Sequence, residues 1–572
     1  TTPEPYQNVD SSTIAGSTDK NSIKSFTGGV QINYIPVKKL ELSLKGGVDD
    51  NNYRDDHLIS TNTSFNGIKG IDNQQNTQYS YDFNGRYTYD IIPGLQATSI
   101  VGFQLFERTY KESWVASEDF ITALITEVGA GSQIYTYGEY FLNSREAGIF
   151  TEHNFSYKNQ YYFTVGLRED YSSSIGTEAP SILYPKASFA LRLDKYDWFP
   201  SGLFNLFKIR AAYGENGQLP DPLASIPFLW GAIAGGYGAG AVITNIGNSS
   251  IKPERIKEIE TGFEAEFLKD YSIEFTYYSQ NASNSIVYVP EAPSTGLTAS
   301  FKPFNIGAMK NWGFEAHLKA SLIRSQNYGL DLSLIWNYQK NEVTNLGGAE
   351  PIYDPAFDVN VIKAGLPKHE FYTWKSLGAK FNPDGTYAGP IVTEDRVDLG
   401  NPIPNHTGSF SITFRFLKNF NLYALASWAL NRKMFNLTKN FSALLGNVPE
   451  YNNLEAQLGI LTPGTPEYID AANKFAKMDY NYFGNYIEDA QYFKINELSL
   501  SYSLKDLLLQ TGYNYIKDIT VGISALNLWT LTNYSGADPE INWSGSRSLS
   551  RGQDFLTLQH PRVYNLWVKI DI

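Results

Sequence analysis

The stretch Ser409-Phe-Ser-Ile-Thr-Phe-Arg-Phe416, then Leu417-Lys418-Asn419, then Phe420-Asn-Leu-Tyr-Ala-Leu-Ala-Ser-Trp428, decides the fold. Phe410, Ile412, Phe414 and Phe416 alternate with Ser409, Ser411, Thr413 and Arg415. Successive side chains of a strand point to opposite faces, so this is a strand with one apolar and one polar face. A second strand follows after a very short gap. The same alternation appears in Leu40-Glu-Leu42-Ser-Leu44-Lys45, from Tyr328 to Tyr338 and from Leu498 to Leu504. Val37-Lys38-Lys39, Lys158-Asn159-Gln160 and Leu268-Lys269-Asp270 are equally short gaps, whereas the gaps between them run to tens of residues. Tight turns on one side and long loops on the other describe a transmembrane antiparallel β-barrel of the outer-membrane type. The fold class is therefore all-β.

Seventeen such strands can be placed between residues 25 and 572. If each short gap is a periplasmic turn, the first strand runs inward and the last ends in the periplasm. Seventeen is odd, whereas closed bacterial barrels have an even strand count; either one strand is misplaced or the chain lacks its beginning, and the expectation is the second, with 1–572 as one barrel domain incomplete on its N-terminal side. Long extracellular loops are expected at 50–77, 109–142, 215–255, 341–405, 432–488 and 530–560, with a shorter one at 289–304. Thr465 to Lys477 has helical spacing inside one of them. Thr1 to Asp19 is polar and carries no mark of a signal peptide, so the natural start is expected upstream.

Composition agrees. The 572 residues are 42% hydrophobic and 15% aromatic, with 40 Tyr, 34 Phe and 10 Trp, yet mean hydropathy is only -0.31. A barrel needs apolar residues on one face of each strand and aromatic girdles at the interfaces, which keeps the average low. Glu258, Glu264, Glu266 and Glu274 on the polar faces suit a water-filled lumen. With no cysteine there is no disulfide, thiol nucleophile or thiolate metal site. A net charge of -13 argues against nucleic acid.

The six histidines form no HExxH-type pair, and there is no GxSxG elbow or P-loop. No catalytic residue, metal ligand or cofactor is expected, apart from structural calcium in the loops, for which Asp354, Asp358, Asp538 and Glu540 are the oxygen donors to consider. The uncharged run Pro222–Ile251 is long enough for a membrane helix, but five glycines within ten residues, from Gly231 to Gly240, favour a loop. Phe228, Trp230 and Tyr237 in that loop, with Trp374 and Trp543 elsewhere, are the candidate ligand-binding residues, because exposed rings can stack on a sugar or an apolar side chain. The competing account of each is packing within its own loop.

Several segments then resemble one family. Tyr157-Lys-Asn-Gln-Tyr161 with Leu167-Arg168-Glu-Asp170-Tyr-Ser172-Ser173, Ile209-Arg210 through Tyr213-Gly214 to Gly217, and Ile251-Lys-Pro-Glu254 are similar in order to the large TonB-dependent transporters of the SusC/RagA type. Asn305-Ile-Gly307 through Asn311-Trp-Gly313-Phe-Glu315, Gly400-Asn-Pro402, Tyr486-Ile-Glu488-Asp489 and Tyr534 to Glu540 continue the resemblance. It implies a 22-stranded barrel, of which these would be the last seventeen strands. The TonB box, plug and first strands are not visible here. It also implies the outer membrane of a Gram-negative bacterium, contact with outer-membrane lipid, a SusD-like surface lipoprotein as lid, energy from the TonB complex, and oligosaccharide or oligopeptide cargo. No enzyme activity is expected. A different class of function is a SusC-like docking barrel in a larger envelope assembly, without transport.

Overall fold

The computed structural model describes residues 18–59, 67–120, 127–179, 181–226, 228–235, 238–290, 294, 301–511, 515–545 and 548–572. Seventeen long strands form one antiparallel sheet. They are β1 Thr18–Val37, β2 Leu40–Ile59, β3 Ile68–Ile92, β4 Leu95–Phe120, β5 Gly131–Tyr157, β6 Tyr161–Ser172, β7 Ile182–Arg192, β8 Phe204–Gln218 and β9 Glu254–Phe267. The rest are β10 Tyr271–Pro290, β11 Phe301–Arg324, β12 Gly329–Asn345, β13 His406–Phe416, β14 Phe420–Leu430, β15 Tyr492–Ser503, β16 Asp518–Thr532 and β17 Val563–Asp571. Among the described residues no helix is long and apolar enough to cross a membrane.

The short turns explain the hairpins. Lys158 and Asn159, Leu268 and Lys269, and Leu417 and Lys418 all have positive φ. Two consecutive left-handed residues make the primed turn whose twist matches two antiparallel strands. Register then follows from the turn, as in Phe416↔Phe420 and Ser409↔Ser427. On the apolar face, rings stack from strand to strand. Phe207 of β8 lies 6.0 Å from Phe263 of β9, which lies 5.9 Å from Phe275 of β10. Phe275 lies 5.8 Å from Phe314 of β11, and Phe314 lies 5.5 Å from Tyr338 of β12. Cross-strand aromatic pairs stabilise a sheet by about 0.2–1 kcal/mol each.

Two expectations need correction. Segments 50–77 and 109–142 are mostly strand rather than loop: β2 continues to Ile59, β3 starts at Ile68, β4 reaches Phe120 and β5 starts at Gly131. Their distal halves, such as Asp49-Asp-Asn-Asn-Tyr-Arg-Asp-Asp-His57, lack the apolar alternation that marks a strand in sequence. Backbone pairing with neighbours holds them instead, unbroken from Leu40↔Tyr87 to Ile59↔Ile68. The glycine-rich run is likewise neither a plain loop nor a helix. Phe228–Gly235 pairs with Gly238–Ile246 as a hairpin, which small residues and Gly238 at φ 117° permit.

The chain divides into two compact units. The first is 1–189, 214–255 and 286–305. The second is 190–213, 256–285 and 306–572. In the second unit, 341–405, 432–488 and 530–560 are not free loops but a folded module. It contains short strands at Asn360–Ile362, Glu370–Thr373 and Lys433–Asn436, the hairpin Ser376–Phe381 with Tyr387–Val392, and helices α1 Leu437–Leu444, α2 Pro449–Ile460 and α3 Pro466–Ala476. Helix α3 is the one expected from the spacing at 465–477. Thr465 caps it by accepting from Tyr468 N.

Candidate functional site

Two regions concentrate polar chemistry, one in each unit. In the first unit they sit on the polar wall of β4–β7. Arg168 donates to Asp170 Oδ1 at 2.6 Å and to Gln104 Oε1 at 2.6 Å. Gln104 donates on to Asp82 at 2.7 Å, and Lys186 pairs with Glu152 at 2.5 Å. Arg168 reaches across Gly148, where a Cβ would lie 2.2 Å from its Nη2. Phe150 closes over Gly102, directly opposite in register, and the Arg168 guanidinium stands 5.9 Å above the Phe150 ring. A cavity of about 440 Å³ opens here between Arg168, Asp170, Tyr184, Lys186 and Glu215. Arg168 with Asp170, Lys186 with Glu152 and Glu215 with Arg255 are ion-paired, and Asp82 is held by the amides of Gln104 and Asn84.

In the second unit the module is built around Val359, Phe371, Phe435, Leu437, Ala443, Val448 and Tyr486, all buried. A buried polar knot joins three distant segments. The Asp354 carboxylate accepts from the backbone N–H groups of Ala356, Phe357, Val359 and Asn360, and from Ser550 Oγ at 2.9 Å. Asn360 donates to His369 O and Arg551 O, both at 2.9 Å, and accepts from Gln553. Asn436 accepts from Lys439 N as the cap of α1 and donates to Ser535 Oγ. Burial, with Asp398 alongside, pushes the Glu370 carboxyl up to about 8. Burial, with Lys368 near, pulls the His369 imidazole down to about 4. Both groups are tied into the module, Glu370 accepting from Asn401 Nδ2 at 2.9 Å and His369 Nδ1 meeting Leu549 O at 3.2 Å.

The calcium donors are largely engaged. The oxygens of Asp354 are taken by five donors, and Asp358 pairs with Arg396. Asp538, Glu540 and His560 bring ligand atoms within 4.8 Å of one another. Yet His560 Nδ1 is 2.8 Å from Asp538, and the buried Lys494 sits 2.5 Å from Glu540. A cation there would meet an ammonium already in place, so this donor set fits one poorly.

The candidate aromatics do not form one cluster. Phe228 is 50% exposed on the hairpin of the first unit. Trp230 lies in the same strand, opposite Ile243, and Tyr237 falls outside the described residues. Trp374 and Trp543 both belong to the module. The Arg396 guanidinium is held between the Tyr353 ring at 3.9 Å and the Trp374 ring at 4.2 Å, which leaves Trp374 38% exposed. Trp543 packs on Phe555 at 5.8 Å and donates Nε1–H to Gln553 at 3.3 Å. Sequence reasoning missed Arg396 and the Asn360–Gln553 knot, because a loop arginine and loop amides read as solvated.

The family profile described as "TonB dependent receptor-like, beta-barrel" matches residues 2–528. Among curated proteins, the chain is 22% identical over 520 residues to "TonB-dependent receptor P3" of Formosa agariphila, covering 84% of this chain and 51% of that protein. It is 21% identical over 569 residues to "TonB-dependent receptor SusC" of Bacteroides thetaiotaomicron, covering 91% and 54%. The chain thus spans about half the length of these relatives. Among solved structures, that described as "Structure of the RagAB peptide transporter" superposes with a TM-score of 0.80 at 19% identity, covering 97% of this chain and 62% of that one. The RagAB importer in its "open-open" state gives 0.78.

Proposed function

The chain belongs to the TonB-dependent receptor-like β-barrel family, of the SusC/RagA type, and on that premise we propose that it serves import of oligomeric nutrients across the outer membrane of a Gram-negative bacterium. The cargo is an oligosaccharide or an oligopeptide. A SusD-like lipoprotein covers the outer side, and the TonB complex supplies energy through a plug. The chain itself performs no covalent chemistry.

One observation carries this reading. The long connections of the second unit are folded around their own core, with Trp374 and Trp543 held in fixed surroundings. Function on loops depends on a scaffold that positions them, and a docking surface for lid or cargo needs that rigidity. The test replaces Phe228–Ile246 with a short Gly-Ser turn and, separately, Trp374 with Ala. The expected result is loss of uptake or of lid co-purification for the hairpin deletion, and weaker cargo binding for Trp374→Ala. Lid binding intact with uptake absent even in the unmodified protein would instead favour a docking barrel without transport.

A further inference from the structure

The polar wall of β4–β8 leaves three polar atoms open to its cavity. Tyr184 is only 8% exposed, yet its hydroxyl has no hydrogen-bond partner among the described residues. A buried tyrosine hydroxyl ordinarily has one. A Cβ on Gly217 would lie 2.0 Å from that oxygen, so a side chain at this position of β8 would cover it. Arg168 gives Nε to Asp170 Oδ1 and Nη1 to Gln104 Oε1. Among the described residues its Nη2 then has no acceptor, and Asp170 Oδ2 has no donor. Tyr184, Arg168 and Asp170 line both the cavity of about 440 Å³ and a narrower one of about 130 Å³ beside it. Arg168 stands roughly 23 Å along β6 from Tyr161, away from the tight turn at Lys158 and Asn159.

The charges around these atoms are already matched within the wall. An ionic ligand would meet a charge of its own sign beside every charge that attracts it. A neutral ligand that both donates and accepts fits better. Asp170 Oδ1 and Arg168 Nε are 2.6 Å apart, so the open acceptor and the open donor belong to one patch. A trans peptide unit points its N–H and C=O in opposite directions, and cannot meet both from one side. Neighbouring hydroxyls of a sugar ring can, because each hydroxyl donates and accepts. Phe150 supplies an apolar surface in the same cavity. Its ring lies across Gly102, where a Cβ would be 2.3 Å from Cζ. Apolar walls with a few placed polar groups are what orient a bound small molecule.

We propose that this cavity is a subsite for one uncharged sugar ring passing along the lumen wall. Asp170 Oδ2 accepts from one ring hydroxyl, and Arg168 Nη2 donates to its neighbour. Tyr184 adds a third contact through its hydroxyl, and the C–H face of the sugar rests on Phe150. The subsite rests on the import reading above and narrows its cargo to neutral oligosaccharide.

The test uses the complete protein, purified from outer membranes in detergent. Binding is read by saturation-transfer NMR with the methyl glycosides of glucose, galactose, mannose and xylose, with methyl glucuronide, and with N-acetylalanine methylamide. At least one neutral glycoside is expected to bind about tenfold more tightly than the glucuronide or the amide. Tyr184→Phe keeps the ring and removes only the hydroxyl, and should weaken that binding about tenfold, the value of one lost hydrogen bond. Phe150→Leu should weaken it similarly, with folding of both variants checked by gel shift. No neutral glycoside bound, or binding unchanged in both variants, overturns the subsite. Preferred binding of the amide, abolished by Tyr184→Phe, overturns the sugar assignment and gives the cavity to peptide. Uptake by cells is scored separately. Peptide uptake with no glycoside bound removes the subsite and leaves import standing, whereas glycoside binding lost in Tyr184→Phe without any uptake keeps the subsite and removes import.

Discussion

Gln553 Nε2 donates to Asn360 Oδ1 at 2.8 Å across 193 residues of sequence, and both side chains are completely buried. Asn360 gives its Nδ2 hydrogens to His369 O and Arg551 O. A buried amide with all its partners rigidifies, and one that loses a partner destabilises. Gln553→Leu leaves Asn360 Oδ1 unsatisfied and should weaken the module by about 1–3 kcal/mol. Amide hydrogen exchange should accelerate at 352–373 and 549–555 while β13–β15 stay protected. Uniform acceleration over the whole chain would contradict a local knot.

The stability of the module should depend on pH in two opposed ways. Glu370 has a raised pKa, so its folded form holds a proton that the unfolded form gives up. Stability from this group is full below the usual carboxylate range and is lost as pH rises towards about 8. His369 has a lowered pKa, so its contribution is full above the usual imidazole value and is lost as pH falls towards about 4. The two slopes cancel between roughly 4.5 and 6.5, the ordinary values of the two groups. Protease resistance of the module should therefore be flat there and fall above pH 7. Glu370→Gln should abolish the fall on the alkaline side, and retention of that fall would show that another group causes it.

Leu268, Lys269, Leu417 and Lys418 hold left-handed backbone with side chains, and Leu268 and Leu417 are more than half exposed. Left-handed residues with a Cβ cost roughly 1–2 kcal/mol each. Replacing Leu417-Lys418 with Asn-Gly should raise the temperature at which the folded form is lost in gel-shift assays, by ~1 kcal/mol or more in stability. An unchanged or lower temperature would mean that Lys418, which pairs with Asp506 at 2.8 Å, outweighs the turn.

Gly148→Ala should act through Arg168. The new Cβ would push the guanidinium from Asp170 and Gln104. Gly148→Ala and Arg168→Ala should each destabilise by about 1–3 kcal/mol, and the double variant by much less than their sum. Additive losses would separate the two residues.

Much was legible along the chain because membrane strands impose a period of two. Phe410 to Phe416 and the gap at Leu417 could mean little else, and Arg168 and Asp170 stood in a motif before their ion pair was seen. The distal half of β2 was not legible. Asp49 to His57 is polar on both faces, and only the continuing pairing with β3 makes it strand. Phe228 to Ile246 was ambiguous because glycine and alanine carry little periodic signal. Trp374 was legible as an exposed ring, but Arg396 between it and Tyr353 was not, since cation–π contacts leave no spacing in sequence.

By itself the sequence determined strand number, turn positions and family, since these depend on local alternation and on motifs in order. Only the tertiary structure decided that the long connections of the second unit share one core, and that Gln104, Phe150, Arg168 and Tyr184 line one cavity. Both facts depend on contacts between residues far apart in the chain, where register and burial, rather than any neighbouring residue, set which groups meet.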